Sequence, residues 1–577
     1  MADPGSQAVD GPPVVEPRER RAGRLLAAVV LAPLVAYLVW ALVTTLHSGG
    51  DVALTEISVR DVGGAHTPLF GVYSRYGWHH PGPLLFYALA VPYRLLGTDG
   101  SALAGGAVLV NALAVGGSAW LLWRRGRLGG LVVGGLVLAV LLHSLGGAVL
   151  PTPWNPLITV LPLLLFVLAV WSVVCGDAWM LPIVIGAGSF VVQAHVGTAG
   201  VVLVGGIAAG LAVVATRRAR KGDGRLWIVS LVLAALLWLP PIVDAVRHRG
   251  GNLRAIVDFW TSAHDHVTGW SRGARIVGAE LAVDPPWITG RLPKQGFVPG
   301  VEPGWTVPVA GILFVVAVLV AIRGSRPDAA RLGAVTLGFA LVAWVSVARI
   351  VDEPFDYLVR WTELTGALVW LTIGWTVLEE VRAVASVPTR RVVGAVGALA
   401  VTVTLTLGAL TAVQAFDDHP ALGEQRAYDR LAGRLQRAGR RLRAPVAVAD
   451  AADLSSAGLG ASVLNGLLGA GVDAGVRPEF GWQVAGAHVV ARDRAGTRLL
   501  VAYGDEGERL RDDPRYRVLV STDELPPARR AELDRLQASY TGIGEQIRWS
   551  RSHPVLARRL AELAAHSARA VVLVERT

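Results

Sequence analysis

A single cysteine, Cys175, stands at the end of an apolar run, so neither an intrachain disulfide nor a cysteine zinc centre can form. Charge is scarce too: 17% of residues are charged against 53% hydrophobic, with a mean hydropathy of +0.48. The chain has no Walker A sequence, no kinase motif set and no nucleophile elbow, which leaves ATP-driven transport and serine-hydrolase chemistry without support. The "GLG" at 458–460 does not complete a dinucleotide fingerprint. No H-E-x-x-H is present, and neither "HH" at 79–80 nor "HDH" at 264–266 has zinc-motif spacing. No cofactor is expected; a divalent ion shared with Asp51 or Glu56 is the alternative. Internal repeats are also missing, which disfavours a transporter built from them.

What the chain has is apolar runs. Windows near 25–46, 102–122, 129–149, 155–175, 178–194, 197–216, 226–244, 304–322, 332–349, 358–378 and 392–414 predict about 11 transmembrane helices. No small-residue cleavage site follows the first, so it reads as a retained anchor. The net charge of +10 does not indicate nucleic acid, because the arginines cluster at the ends of apolar runs. The clusters are "RERRAGR" at 18–24, "RRGR" at 124–127, "RRARK" at 217–221, "RGSRPDAAR" at 323–331, and a loop with Arg382, Arg390 and Arg391. Even numbers of spans separate them, so the positive-inside rule puts all of them in the cytoplasm. Parity holds only if "GPLLFYALAVPYRLL" at 82–96 does not cross. With 15 residues, prolines at 83 and 92 and a third just before it at 81, it should lie along the outer interface or dip in and return.

This organisation predicts a disordered cytoplasmic N-terminus (1–23) and a membrane domain (24–414). Outer loops span 47–101 and 245–303, and an extracytoplasmic tail covers 415–577. The tail alternates helical and strand-like stretches: a helix over 421–443, the strand "PVAVAD", a helix over 452–471, strands "RLLVAYG" and "YRVLVST", helices near 527–538 and 553–567, and a closing "AVVLVE". That pattern predicts a soluble α/β domain. The fold class is therefore a membrane all-α bundle with a C-terminal α/β domain.

Polar residues collect at the outer ends of the spans. Asp51 follows Gly49 and Gly50 directly after the first span. It reads either as a helix cap or as a general base at the membrane surface. Glu56 and Arg60 are spaced to pair on one helix face, and Asp61 points elsewhere. Arg60, Arg75, His79 and His80 share the first loop and could bind a lipid-linked phosphate, while Tyr73, Trp78, Pro81 and Tyr87 border the same groove. Arg360 and Glu363 at the tenth span, Asp244 at the end of the seventh, and Gln193 with His195 at the end of the fifth are further polar groups near membrane depth, and Asp244, Gln193 and His195 are expected in the same substrate groove.

This layout resembles the GT-C superfamily of multi-spanning glycosyltransferases, which includes protein O-mannosyltransferases, lipid A aminoarabinose transferases and mycobacterial arabinofuranosyltransferases. The likeness rests on "GGDVALTEISVRD" after the first span, on "HPGPLLFYALAVPYRL" as an interfacial helix, and on the many spans and the outer tail. It implies a plasma-membrane enzyme that moves a hexosyl or pentosyl group from a polyprenyl-phosphate donor to a glycan, lipid or protein acceptor, with inversion. By carry-over Asp51 is the base, with Glu56 or Asp61 as the second acid; Arg60, Arg75, His79, His80 and Arg360 hold the phosphate. The sequence departs from the mannosyltransferases, where two acidic residues stand side by side, because Val52 follows Asp51. A flippase for lipid-linked saccharides, or a scaffold presenting the tail, are the competing readings. An Ala-, Gly-, Val- and Arg-rich composition fits a bacterium.

Overall fold

The computed structural model describes residues 16–576 except 218–223, 263–265, 291–305, 385–386, 418–430, 451–458, 482, 485, 522–524, 541–544, 546–548, 551 and 567–569. Each apolar window of the sequence holds a helix, and the first of these begins at Pro17, so residues 17–23 are helical where disorder was expected, while 1–15 lie outside the described residues. The membrane part comprises α1 (Pro17–Val43), α2 (Gly50–Asp61), α3 (Leu84–Leu96), α4 (Gly100–Val149), α5 (Asn155–Ile158), α6 (Val160–Val174), α7 (Leu181–Ala194), α8 (Ala199–Arg217) and α9 (Gly224–Arg247). It continues through α10 (Gly251–Thr261), α11 (Trp270–Ala279), α12 (Pro286–Thr289), α13 (Val309–Arg323), α14 (Pro327–Ala348), α15 (Asp356–Val359), α16 (Glu363–Val384) and α17 (Val387–Gln414). Among the described residues eight helical stretches are long and apolar enough to cross a bilayer; α7 and α13 are shorter apolar helices.

The 50-residue α4 is two helices, broken where Arg127 takes φ 51°. A Cβ on Gly130 would meet the Leu122 carbonyl at 2.7 Å, and one on Gly134 would overlap the Leu122 side chain. The second half therefore folds back on the first, giving the two windows read at 102–122 and 129–149. Its freed Leu128 N–H donates to Glu19 of α1 at 3.2 Å, which satisfies a helix start that would otherwise lack a partner. The basic clusters meet at this end of the bundle. Arg125 pairs with Asp328, Arg326 with Glu380 at 3.0 Å, and Arg382 donates to the Gly126 carbonyl at 2.6 Å.

At the opposite end α3 lies on α2 and α4 through Leu85, Phe86, Leu89 and Tyr93, leaving Val91 and Leu95 exposed. Its 13 residues reach only ~20 Å, short of a ~30 Å hydrocarbon core.

The tail holds a five-stranded sheet: β1 (Val446–Asp450), β2 (Ala474–Val476), β3 (Thr497–Tyr503), β4 (Tyr516–Ser521) and β5 (Ala570–Glu575), in the order β2-β1-β3-β5-β4. β1 runs parallel to β2 and β3, while β5 is antiparallel to β3 and β4. The three-residue β2 and a helix over Gly504–Arg511 lie outside the sequence expectation; the first is too short to carry a period. The helix expected over 452–471 is α18 (Leu459–Gly469), and of the one over 421–443 residues 431–439 are helical. Residues 421–430 and 452–458 fall outside the described residues, while 440–443 and 470–471 are turns or irregular backbone instead of helix.

α2 belongs to two cores at once. Ala53, Leu54 and Ile57 pack among β1, α18 and the rest of the tail, while Val59 packs with α3 and α4. Between these faces Glu56, 3% exposed, accepts hydrogen bonds from Arg60 (3.0 Å), Tyr93 (2.8 Å) and Asn465 of α18 (2.8 Å). Removing one partner from a buried charged cluster costs ~3–5 kcal/mol. Glu56→Ala is expected to lose stability on that scale, and Glu56→Gln much less, read as the unfolding midpoint of the protein in nanodiscs. Equal midpoints for all three proteins would refute a clasp at this position.

Candidate active site

A cavity of about 730 Å³ opens at the first-loop end of the bundle, and Asp51 stands in its wall. Gly50 turns the chain at φ 55°, and Gly49 occupies the cap position of α2. Asp51 therefore falls inside the first turn and caps nothing, which corrects the capping reading. Its carboxylate points away from the helix: Oδ1 accepts from the Tyr73 hydroxyl at 2.6 Å and Oδ2 from Trp154 Nε1 at 3.0 Å. Burial raises its pKa above the usual aspartate range, and the two hydrogen bonds act in the opposite direction. Each oxygen keeps a second lone pair for a further donor.

Two arginines line the same cavity. Arg75 lies over the Tyr76 and Phe355 rings at 4.9 and 5.1 Å and donates to the Val351 carbonyl at 3.1 Å. Arg349, at the end of α14, is exposed, and its guanidinium has no acceptor among the described residues. The sequence reading missed Arg349. The signal was present: an arginine at the end of a span opposite the basic clusters does nothing to orient the chain. Aromatic side chains connect the carboxylate to the cations. Trp154 packs on Tyr357 at 4.8 Å, Tyr357 stacks on Phe355, and Phe259 packs against both Tyr76 and Trp78.

His80 and His195 sit 5.3 Å apart, ring to ring, in this wall. His80 Nδ1 accepts the Val196 N–H at 3.2 Å, which puts the His80 proton on Nε2. Burial, and then the neighbouring histidines, push its pKa well below the ordinary value; burial alone brings His195 to about 4. Both rings are neutral at pH 7 and serve as hydrogen-bonding groups instead of cations. Trp78 Nε1 and His195 Nδ1 are buried there without a hydrogen-bond partner among the described residues.

The other predicted residues lie elsewhere. Glu56 and Arg60 are tied into the interdomain cluster, with Arg60 reaching Asn465 Oδ1 at 3.1 Å. Asp61 pairs with His488 of the tail at 2.9 Å. Together with His79 and Asp244 it borders a second, smaller cavity. Asp244 accepts from the Asn252 N–H at 2.9 Å, and Asn252 in turn holds the backbone of His79 and His80. Tyr87 donates to the Pro68 carbonyl at 2.7 Å, Pro81 is buried, and Gln193 donates to Leu237 and fills the space beside Gly82. Arg360 is buried between Asp356 (3.1 Å) and Glu363 (2.9 Å) and does not line the large cavity. Nearby, burial and then Glu363 hold the Glu280 carboxyl well above the usual range. Among the described residues no cluster of three or more His, Cys, Asp or Glu side chains could hold a metal ion. His264 and Asp265 of "HDH" fall outside them.

No protein-family model matches the chain, and no curated protein does. Solved structures do. The crystal structure of ArnT from Cupriavidus metallidurans in the apo state aligns with a TM-score of 0.51 at 12% identity, over 87% of this chain and 96% of that one. The same protein bound to undecaprenyl phosphate aligns with a TM-score of 0.50 at 14% identity, over 86% and 96%. This chain shares the fold of ArnT.

Proposed function

We propose that this chain, a multi-pass membrane protein with the GT-C fold, transfers a sugar from a polyprenyl-phosphate donor to an acceptor on the extracytoplasmic face, with inversion. The observation that carries this reading is that a carboxylate and two arginines share one large, aromatic-walled cavity. Asp51 stands at one part of its wall and Arg75 and Arg349 at another. ArnT crystallised with undecaprenyl phosphate supports a lipid-linked donor.

In the proposed reaction the acceptor hydroxyl approaches the anomeric carbon from the face opposite the phosphate. The new C–O bond forms as the C–O bond to phosphate breaks, its electron pair leaves with the phosphate, and the hydroxyl proton passes to Asp51. The phosphate departs as an anion and needs cations, not a proton; Arg75 and Arg349 supply them through charge-assisted hydrogen bonds. The apolar remainder of the wall, including Ile256, Val345 and Leu358, suits the isoprenoid chain. Trp154 and Tyr73 hold the base in place. The basic clusters at the opposite end favour a cytoplasmic N-terminus, which puts the site and the tail outside.

The test is transfer of radiolabelled sugar from a panel of polyprenyl-phosphate donors by purified protein in lipid vesicles. Product formation with anomeric inversion supports the enzyme. Movement of lipid-linked saccharide across the bilayer without product would replace it with a flippase. The pH profile adds a second test. A base held above the usual aspartate range is ionised only as pH climbs through that raised value, so kcat/KM should fall on the acid side at a higher pH than an ordinary aspartate would give. Tyr73→Phe removes a bond that favours the carboxylate and should move this limb further up. The folding contribution of Asp51 has the opposite sign: it is present below the unfolded-chain pKa and lost as pH rises through the raised one. An acid limb unmoved by Tyr73→Phe would assign that limb to another group.

A further inference from the structure

The second cavity, about 250 Å³, lies between α2, the first loop, the end of α9 and the tail residues Gln483, Val484, Gly486 and Ala487. Tyr73 lines both cavities, and its hydroxyl is the one bonded to Asp51. A single aromatic side chain thus separates the smaller cavity from the carboxylate.

The two cavities differ in charge. Arg75 and Arg349 line the larger one, whereas neither arginine nor lysine is among the described residues lining the smaller, so the smaller lacks the permanent cations that suit a phosphate in the larger. Its polar lining includes the Asp61 and Asp244 carboxylates, the Gln483 amide, the hydroxyls of Thr55, Ser58 and Thr67, and His66, His79 and His248. Asp61 is held by His488 and Asp244 by His248 and the Asn252 N–H, and each carboxylate retains lone pairs for further donors. Gln483 is 6% exposed, and its Nε2 has no hydrogen-bond partner among the described residues. A buried amide without an acceptor costs ~1–3 kcal/mol, so the position favours a ligand that offers an oxygen. Phe70 and Phe86 add flat apolar surface. Hydroxyls that can both donate to carboxylates and accept from an amide, on a ring with apolar faces, match this lining. Its volume, below the ~300–1,000 Å³ of drug-sized pockets, suits one sugar ring.

We infer that this cavity is the acceptor subsite and takes an uncharged saccharide terminus, held by Gln483, Asp61 and Asp244, with its reactive hydroxyl delivered to Asp51 past Tyr73. The inference rests on the transferase reading and deepens it. It also gives the tail a role, since Gln483 belongs to the tail.

The experiment is saturation-transfer NMR on the full chain in nanodiscs. The probes are methyl glycosides of glucose, mannose, galactose and arabinose, with inorganic phosphate as a competitor. At least one glycoside should receive saturation from the parent protein. That signal should fall fivefold or more in Gln483→Leu and in Ala487→Leu, which narrows the cavity without touching a polar group. It should be unchanged in Arg349→Ala and unaffected by phosphate. No glycoside signal, a signal equal in all variants, or displacement by phosphate would each overturn the subsite. Polyprenyl-phosphate binding, measured on the same samples, separates the two levels: if it persists while the glycoside result fails, only the acceptor assignment is lost.

Discussion

Asp51→Asn is expected to lower kcat for sugar transfer by ~10²–10⁴-fold, the range associated with loss of a positioned general base, while donor affinity changes little. Asparagine keeps the shape and can still accept from Tyr73 and Trp154, the two donors that fix the side chain. It cannot take a proton. A loss in kcat with an unchanged KM for donor would therefore isolate proton transfer from positioning. Glu56→Gln serves as the control, because Glu56 lines neither cavity. Transfer that survives Asp51→Asn but disappears in Asp61→Asn would move the base to the smaller cavity and require a different route for the hydroxyl.

Arg349→Ala is the second large effect. A hydrogen bond to a charged partner contributes ~1.5–3 kcal/mol, and each ~1.4 kcal/mol is tenfold, so donor KM should rise by ~10–150-fold. Because the Arg349 guanidinium has no acceptor among the described residues, its removal leaves no carboxylate stranded and should leave the unfolding midpoint nearly unchanged. Arg75 differs: it bonds to Tyr76 and Val351 and stacks on Phe355, so Arg75→Ala should cost stability as well as donor binding. Arg349→Lys restores charge without the bidentate fork and should recover part of the affinity. A donor KM unmoved in Arg349→Ala would remove that residue from the phosphate site.

The bundle was readable because span length is imposed by the bilayer. The Arg clusters carry the parity, and together with the shortness and prolines of α3 that parity gave the expectation that α3 does not cross. The tail strands were equally visible where apolar residues run together, as in Val446–Asp450, which is buried along its whole length. The site was harder. Asp51 could be picked out by its position after Gly49 and Gly50, but nothing in the spacing of Glu56 and Arg60 told that Asn465, 409 residues beyond Glu56, would close around them. Histidines 79 and 80 are adjacent in sequence yet border different cavities, because extended backbone sends neighbouring side chains to opposite faces. His80 was expected to help hold a phosphate, but burial keeps it neutral. Tertiary environment sets that, and no local pattern records it.

The shared position of α2 has a consequence for how the chain comes to be made. This helix follows the first span, so it leaves the ribosome early, yet the residues that cover Ala53, Leu54 and Ile57 are synthesised some 400 residues later. Contacts of such separation form late, because the closure entropy of the intervening loop must be met first. The helix carrying Asp51 therefore waits, half covered, until the tail has been made and has folded against it. Assembly of the smaller cavity is thereby tied to completion of the polypeptide, and a nascent chain stalled among its spans holds only part of its chemistry.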